Sequence, residues 1–190
     1  MIIDENKILK ELQKVGIRVN SVYDLVNTTI PYSQGLPILI ALLRKGIFDD
    51  RIKEGVIRSL AVKEAKGLAG SALLEEYYRT PKDKMMLRWA IGSALEVVVT
   101  DEESESITSI VKDKTNGMSR QMFVLALGKL PSEKTEQILI ELLDEEEVAA
   151  QAIVALSELK SEKAKAKITE LLTHSRPLIR KEAKKALKKI

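Results

Sequence analysis

The chain has no cysteine and a single histidine, His174. Without cysteine it can form neither a disulfide framework nor a thiol nucleophile, and one histidine excludes zinc motifs built on paired histidines. Glycine-rich phosphate loops and the G-x-S-x-G nucleophile turn are missing as well. The sequence therefore offers no candidate catalytic residue, no metal site and no cofactor site, and we expect a protein that is not an enzyme.

Aromatic residues are also scarce, at 4% of the chain, and no apolar run approaches the roughly 18 residues of a membrane span. The first ten residues contain acidic side chains and no long apolar stretch, unlike a signal peptide. Alanine, leucine, isoleucine, lysine and glutamate dominate, which favours helix over sheet. We therefore expect an all-α protein of cytoplasmic location with no membrane partner.

One apolar pattern organises the rest of the chain. It is clearest in residues 148–159, where five side chains recur at the spacing of one narrow helical stripe: Val148, Ala152, Ala155, Leu156 and Leu159. The alanines in this stripe leave room for a second helix to approach closely. Four further copies of the block begin at Ile52, Leu87, Ser119 and Ile179.

The blocks recur at a nearly constant interval. Their ninth residues are leucines that stand 35, 32, 29 and 31 residues apart: Leu60, Leu95, Leu127, Leu156 and Leu187. Each block follows another apolar stretch of helical pattern, at residues 36–43, 68–78, 107–111, 138–143 and 168–172. A period of roughly 20–50 residues, built from a helix, a turn and a second helix, predicts a solenoid.

The block resembles the HEAT repeat of the short bacterial, PBS-lyase-like type. The best match is Leu171-Leu172 before the turn followed by IRKEAKKAL at residues 179–187. The second position of the block is arginine in three copies, at Arg88, Arg120 and Arg180. Lys53 and Ala149 depart from this arginine, while the aspartates near the expected turn position are Asp83 and Asp144.

The resemblance covers about residues 35–190 and implies a right-handed α-solenoid (α-α superhelix) of about six stacked helix pairs. We expect residues 1–190 to form a single HEAT-repeat domain, with residues 1–34 as an atypical N-terminal capping helix pair and residues 35–190 as five HEAT-like repeats. The resemblance further implies that Arg88 and Arg120 pair with turn aspartates in a structural role. It also implies that the second helices line a concave face.

On these second helices, block positions 3, 7 and 10 point away from the apolar stripe. Position 10 includes Gly128 and Ser157. A tryptophan and an arginine beside apolar area are typical of a protein-binding hot spot. We therefore predict a partner-binding site formed by Arg58, Trp89, Ser93, Gln121 and Leu125. The alternative for Trp89 is that it packs across the groove onto a neighbouring helix.

Charge is unevenly distributed. Residues 160–190 carry a net charge of +8, whereas residues 1–159 carry −5. The basic end either binds an anion or is a solvated cap that complements the helix dipole. The acidic runs at residues 101–105 and 144–147 lie at predicted helix starts, where the dipole favours negative charge. These runs are most simply explained by the dipole and by solubility.

Three functions remain open. The favoured one is a non-catalytic protein–protein interaction module or scaffold, a monomer or weak homodimer, that binds a partner protein through its concave face. The second is a nucleic-acid-binding protein of the DNA-repair type, which would use Trp89, Glu96 and the basic end. The third is an accessory protein of the lyase-like HEAT type, which no residue of the sequence specifically indicates.

Overall fold

The computed structural model describes residues 4–47 and 49–190. These residues form twelve α-helices joined by turns and short 3-10 segments, and they contain no β-strand. The predicted all-α fold class is therefore confirmed. The chain divides into two compact units, Met1–Glu103 and Ser104–Ile190.

The first unit contains six α-helices. They are α1 (Glu5–Lys14), α2 (Tyr23–Val26), α3 (Leu36–Lys45), α4 (Asp50–Ser59), α5 (Gly70–Arg79) and α6 (Met85–Val98). Helix α3 packs on α4 and α5 packs on α6, while α4 also packs along α6. Successive helix pairs are thus stacked in sequence order, which is the packing found in an α-solenoid.

The second unit contains the other six helices. They are α7 (Ser104–Lys112), α8 (Arg120–Leu127), α9 (Glu133–Glu141), α10 (Ala149–Glu158), α11 (Lys165–Glu170) and α12 (Pro177–Ala186). The second helices of the three pairs stack directly, α8 on α10 and α10 on α12. We call the second helices α4, α6, α8, α10 and α12 the inner helices.

The predicted apolar stripe is the core of both units. In the blocks that begin at Leu87 and Ser119, all five stripe residues are buried. In the block at Val148 only Leu159 is half-buried, and the first block is the weakest, because its last position, Lys63, lies exposed in a 3-10 turn. Burial of aliphatic side chains along one face of each helix therefore holds the pairs together.

Small residues set the spacing between stacked helices, as the alanine-rich stripe predicts. A Cβ atom placed on Gly128 of α8 would lie 2.6 Å from the Cβ of Ala155 in α10. A Cβ placed on Gly55 of α4 would lie 2.5 Å from Cγ2 of Val22. Both glycines therefore sit where a neighbouring segment leaves no room for a side chain.

The N-terminal pair consists of α1 and the four-residue helix α2. The carboxylate of Glu5 accepts hydrogen bonds from the Ser21 hydroxyl at 2.7 Å and from the Val22 amide at 2.9 Å, which ties the two helices together. The carboxylate of Asp24 accepts from the Ser21 amide at 3.1 Å, as in a capping box. Residues 1–3 of this predicted capping pair lie outside the described residues. Its capping role and the single-domain arrangement stay predictions.

Candidate functional site

The five predicted partner-binding residues lie on three inner helices, and all five are half-buried. Arg58 is on α4, and Trp89 and Ser93 are on α6, so these three belong to the first unit. Gln121 and Leu125 are on α8 in the second unit, four residues apart and therefore on one helix face. A half-buried side chain can pack in the free protein and still contact a partner through its exposed part.

Arg58 is held by a neighbour on its own helix. Its Nε donates to Oε1 of Glu54 at 2.8 Å, and its Nη2 lies 2.7 Å from the same oxygen. Glu54 and Arg58 occupy outward positions 3 and 7 of the same block, one helical turn apart. The face of α4 therefore presents an ion pair of fixed geometry rather than a mobile guanidinium.

Trp89 lies beside exposed apolar side chains. Met85 and Met86, which precede it by about one helical turn on α6, are 44% and 71% exposed. Methionine side chains are flexible and polarisable, and they are common at surfaces that adapt to a partner. Trp89 is itself half-buried, so part of its surface is covered and part is open.

A cleft of about 470 Å³ opens between the first turns of α4 and α6. An ion pair between Asp50 Oδ2 and Lys84 Nζ, 2.6 Å apart, joins the two helix starts. The hydrogen bond that Lys84 donates to Asp50 raises the pKa of Lys84 above its ordinary value, so the lysine stays charged. The cleft is lined by the acidic and basic residues of these turns and by three apolar ones: Asp50, Arg51, Glu54, Asp83, Lys84, Met85, Met86 and Leu87.

Sequence reasoning missed this cleft. The signal available in the sequence was the adjacent pair Met85 and Met86 at the start of a predicted inner helix. Packing of a helix start does not require two such apolar residues in a row. We group the two methionines of this cleft with the three predicted site residues of α4 and α6, and call the group the α4–α6 face: Arg58, Met85, Met86, Trp89 and Ser93.

On α8 and α10 of the second unit, the open side includes apolar residues. Leu125 of α8 and Val154 of α10 occupy the same block position and are both half-buried. Gln121 donates from Nε2 to the carbonyl oxygen of Glu147 at 3.0 Å, which fixes it to the turn before α10. By contrast Gly128 and Ser157, predicted to point outward at position 10, are buried. That prediction was wrong, because position 10 faces the next stacked helix rather than solvent.

The arginines at block position 2 form contacts within the fold, and the carboxylate partners of Arg120 are glutamates rather than the expected turn aspartate. Arg88 is buried, and its guanidinium carbon lies 4.0 Å from the centroid of the Tyr77 ring. Arg120, with 1% of its side chain exposed, contacts Glu145 at 2.8 Å and Glu147 at 3.2 Å. Arg180 donates to the carbonyl oxygen of His174 at 2.7 Å.

The acidic run at residues 144–147 has more specific contacts than a solubility feature requires. Each of its four carboxylates binds a cation of a neighbouring helix pair: Asp144 to Lys167, Glu145 to Arg120, Glu146 to Arg176 and Glu147 to Arg120. The other acidic run contains Glu103, which is buried and accepts from the Thr100 amide at 2.8 Å. Both runs therefore organise the turns between helices.

At the basic end, cations that face a neighbouring pair are matched by acids, as in the 3.2 Å contact of Lys163 with Glu136. The Ser161 hydroxyl and Lys163 hydrogen-bond to Glu136 and lower the pKa of this carboxyl below its ordinary value. His174 is half-buried rather than freely exposed, and its Nδ1 accepts from the Arg176 amide at 3.1 Å. Three other lysines of this end are exposed: Lys181 and Lys184 on α12, and Lys188 just after it.

Residues 104–188 match the family model for HEAT repeats. This range begins and ends within the second unit, where three helix pairs stack through the predicted block. The predicted resemblance to HEAT repeats is therefore confirmed for residues 104–188. Neither the search of curated proteins nor the search of solved structures found a match.

HEAT repeats are generally protein-interaction scaffolds and are typically non-catalytic. The partner class that the family indicates is thus another protein. Across residues 4–47 and 49–190, no helix has both the length and the apolar character required to cross a membrane.

Proposed function

We propose that this protein is a non-catalytic interaction module that binds a partner protein through the open side of its inner helices. Within the predicted site, the α4–α6 face is the principal contact. The observation that carries this proposal is the half-buried Trp89 beside the exposed Met85 and Met86 and the 470 Å³ cleft. Such a face combines a rigid aromatic anchor with adaptable apolar surface.

The charges around the cleft favour a protein over a polyanion. Acidic and basic side chains are interspersed there, and Arg58 and Lys84 are already neutralised by Glu54 and Asp50. A phosphate backbone requires unmatched cations, because counterion release supplies most of its affinity. A protein partner instead gains from buried apolar area with a polar rim.

Gln121 and Leu125 extend the proposal to the second unit. Leu125 and Val154 offer apolar area on two stacked helices, and Gln121 provides an amide beside them. We propose that this area is a contact surface of the second unit in its own right.

The experiment places a photoreactive amino acid at Ser93 and crosslinks it in the source cells. A control probe replaces Tyr78, an exposed aromatic residue on α5 of the same unit. We expect the Ser93 probe to form a discrete adduct with one protein, which mass spectrometry identifies, and the Tyr78 probe to form none with that protein. An equal yield from both positions would contradict the proposed site.

The identified partner then permits a direct affinity measurement. Trp89→Ala should weaken binding by about 2 kcal/mol, roughly thirtyfold in Kd, whereas Tyr78→Ala should leave it unchanged. A thermal melt of Trp89→Ala accompanies the measurement, because part of the indole is packed in the free protein. Full affinity in a folded Trp89→Ala variant would remove Trp89 from the site.

A further inference from the structure

One side of α12 differs from the same side of α10, the inner helix stacked before it. At block positions 3, 6 and 10, helix α10 carries Ala150, Ile153 and Ser157, and all three are buried. The same block positions hold Lys181 and Lys184 of α12 and Lys188 in the turn that follows it, and all three are exposed. We call these three residues the α12 lysine strip.

On α8, the same side is covered by a neighbouring helix. Val124 and Gly128, at positions 6 and 10 of α8, are buried, and Gly128 lies directly against Ala155 of α10. A helix thus lies along this side of α8. The lysine strip occupies the same side of α12, so a helix placed along it would follow the stacking already present in this unit.

Ion pairs in the same unit show which chemistry such a helix would need. Cations that face an adjacent helix pair are matched there by carboxylates, as Lys129 is by Glu158 at 2.7 Å and Lys167 by Asp144 at 2.6 Å. Among the described residues, no side chain forms an ion pair or hydrogen bond with the three strip amines. The strip is thus a row of unmatched cations in a unit whose helix junctions pair cations with acids.

The spacing of the strip suits a helix more closely than a nucleic acid. Lys181 and Lys184 stand at i and i+3 on one face of α12, and Lys188 follows in the turn that ends the helix. The exposed Leu178 one turn earlier adds apolar area. The strip contains neither arginine nor an aromatic side chain, the residues that clamp phosphates and stack on bases.

We propose that the α12 lysine strip binds an acidic helix of a partner protein, laid along α12 with carboxylates facing the three amines. This surface is in the second unit and does not depend on the α4–α6 face, so either proposal can fail without the other.

The test measures fluorescence anisotropy with a labelled helical peptide of about 20 residues, with glutamates at i, i+4 and i+7 and leucines beside them. A scrambled peptide of the same composition and a 20-base-pair duplex DNA are the comparison probes. The protein variants are Lys181→Gln/Lys184→Gln/Lys188→Gln and a control of equal charge, Lys66→Gln/Lys112→Gln/Lys134→Gln, which alters three exposed lysines elsewhere.

We expect the strip variant to bind the helical peptide about tenfold more weakly than the wild type, since each exposed ion pair contributes only a few tenths of a kcal/mol. The control variant should stay within about twofold of the wild type by the same reasoning. Thermal melts confirm that both variants are folded. Equal affinity for the scrambled peptide, tighter binding of the duplex, or no binding of the helical peptide to the wild type would each overturn the proposal.

Discussion

Arg120 and Glu145 form an ion pair that joins two successive helix pairs, with Nη1 of Arg120 2.8 Å from Oε2 of Glu145. The same nitrogen donates to the carbonyl oxygen of Val111 at 2.9 Å, and Glu147 contacts Nη2 at 3.2 Å. The guanidinium is therefore buried with several acceptors around it. This cluster fixes the end of α7, the start of α8 and the turn before α10 to one another.

Replacing Glu145 by Ala should destabilise the protein by about 1–3 kcal/mol, because it leaves a buried guanidinium short of an acceptor. The loss of stability should be smaller than for a fully buried ion pair, since the Glu145 side chain is 19% exposed. Urea unfolding measures the loss, and Glu170→Ala, which changes an exposed glutamate in the same unit, serves as the control. Equal stability of the two variants would show that the Arg120 cluster contributes nothing.

The close approach of α8 and α10 gives a second prediction. Ala155→Phe should lower the free energy of unfolding by about 1–3 kcal/mol, because Gly128 leaves no space for a larger side chain. Ala166→Phe, at an exposed position of α11, should change it far less. The thermal unfolding midpoints of the two variants test this, and an unchanged midpoint for Ala155→Phe would mean that the stripe is wrongly assigned.

Tyr32 gives a prediction about pH. Its hydroxyl donates to the carbonyl oxygen of Ser59 at 2.7 Å, and burial raises the pKa of Tyr32 above its ordinary value of 10.0. The folded state therefore holds the phenol proton more tightly than the unfolded state. This contribution to stability is complete below pH 10 and is lost as the pH rises through the folded pKa.

Tyr32→Phe should accordingly be about 1 kcal/mol less stable than the wild type near neutral pH, because a buried hydrogen bond is lost. The difference should shrink above pH 10, since only the wild type then loses stability through ionisation of residue 32. Urea unfolding at pH 8 and at about pH 10.5 measures both values. A difference that stays constant over this range would contradict the assigned role of the phenol proton.

For nucleic acid we expect only weak, non-specific binding. Most cations at helix junctions of the second unit are already paired with acids, and the α12 lysine strip is short. A duplex should therefore not be retarded by nanomolar protein at physiological salt. Retardation under those conditions, with a salt dependence that Lys181→Gln/Lys185→Gln/Lys188→Gln flattens, would favour the nucleic-acid alternative.

The repeat block shows how much of the fold could be predicted from the sequence. Residues such as Leu95, Leu127 and Leu156 recur at a helical period because each must be buried against its neighbour, so periodicity identifies them. The period does not say which side of an inner helix faces the next one. Gly128 therefore falls on the open side by its block position, although Ala155 of α10 lies directly against it.

The candidate site was harder to predict, for a physical reason. Whether Trp89 is exposed depends on the side chains packed around it, which the helical period does not report. The contacts of Glu145 and Glu147 with Arg120 are likewise formed between residues 25 or more positions apart, so no local pattern reports them. The cleft at Asp50 and Lys84 arises in the same way from two helix starts.

The most direct test of the α4–α6 face uses the fact that Trp89 is the only tryptophan in the chain. Protein labelled with 5-fluorotryptophan then gives a single ¹⁹F resonance from the proposed anchor, visible even in an extract of the source cells. The control is a Trp89→Phe/Tyr78→Trp variant, which moves the probe to an exposed position on α5. Our account predicts that the resonance at position 89 shifts or broadens in the extract while the one at position 78 does not. An unchanged resonance at position 89, or equal broadening at both positions, would contradict it.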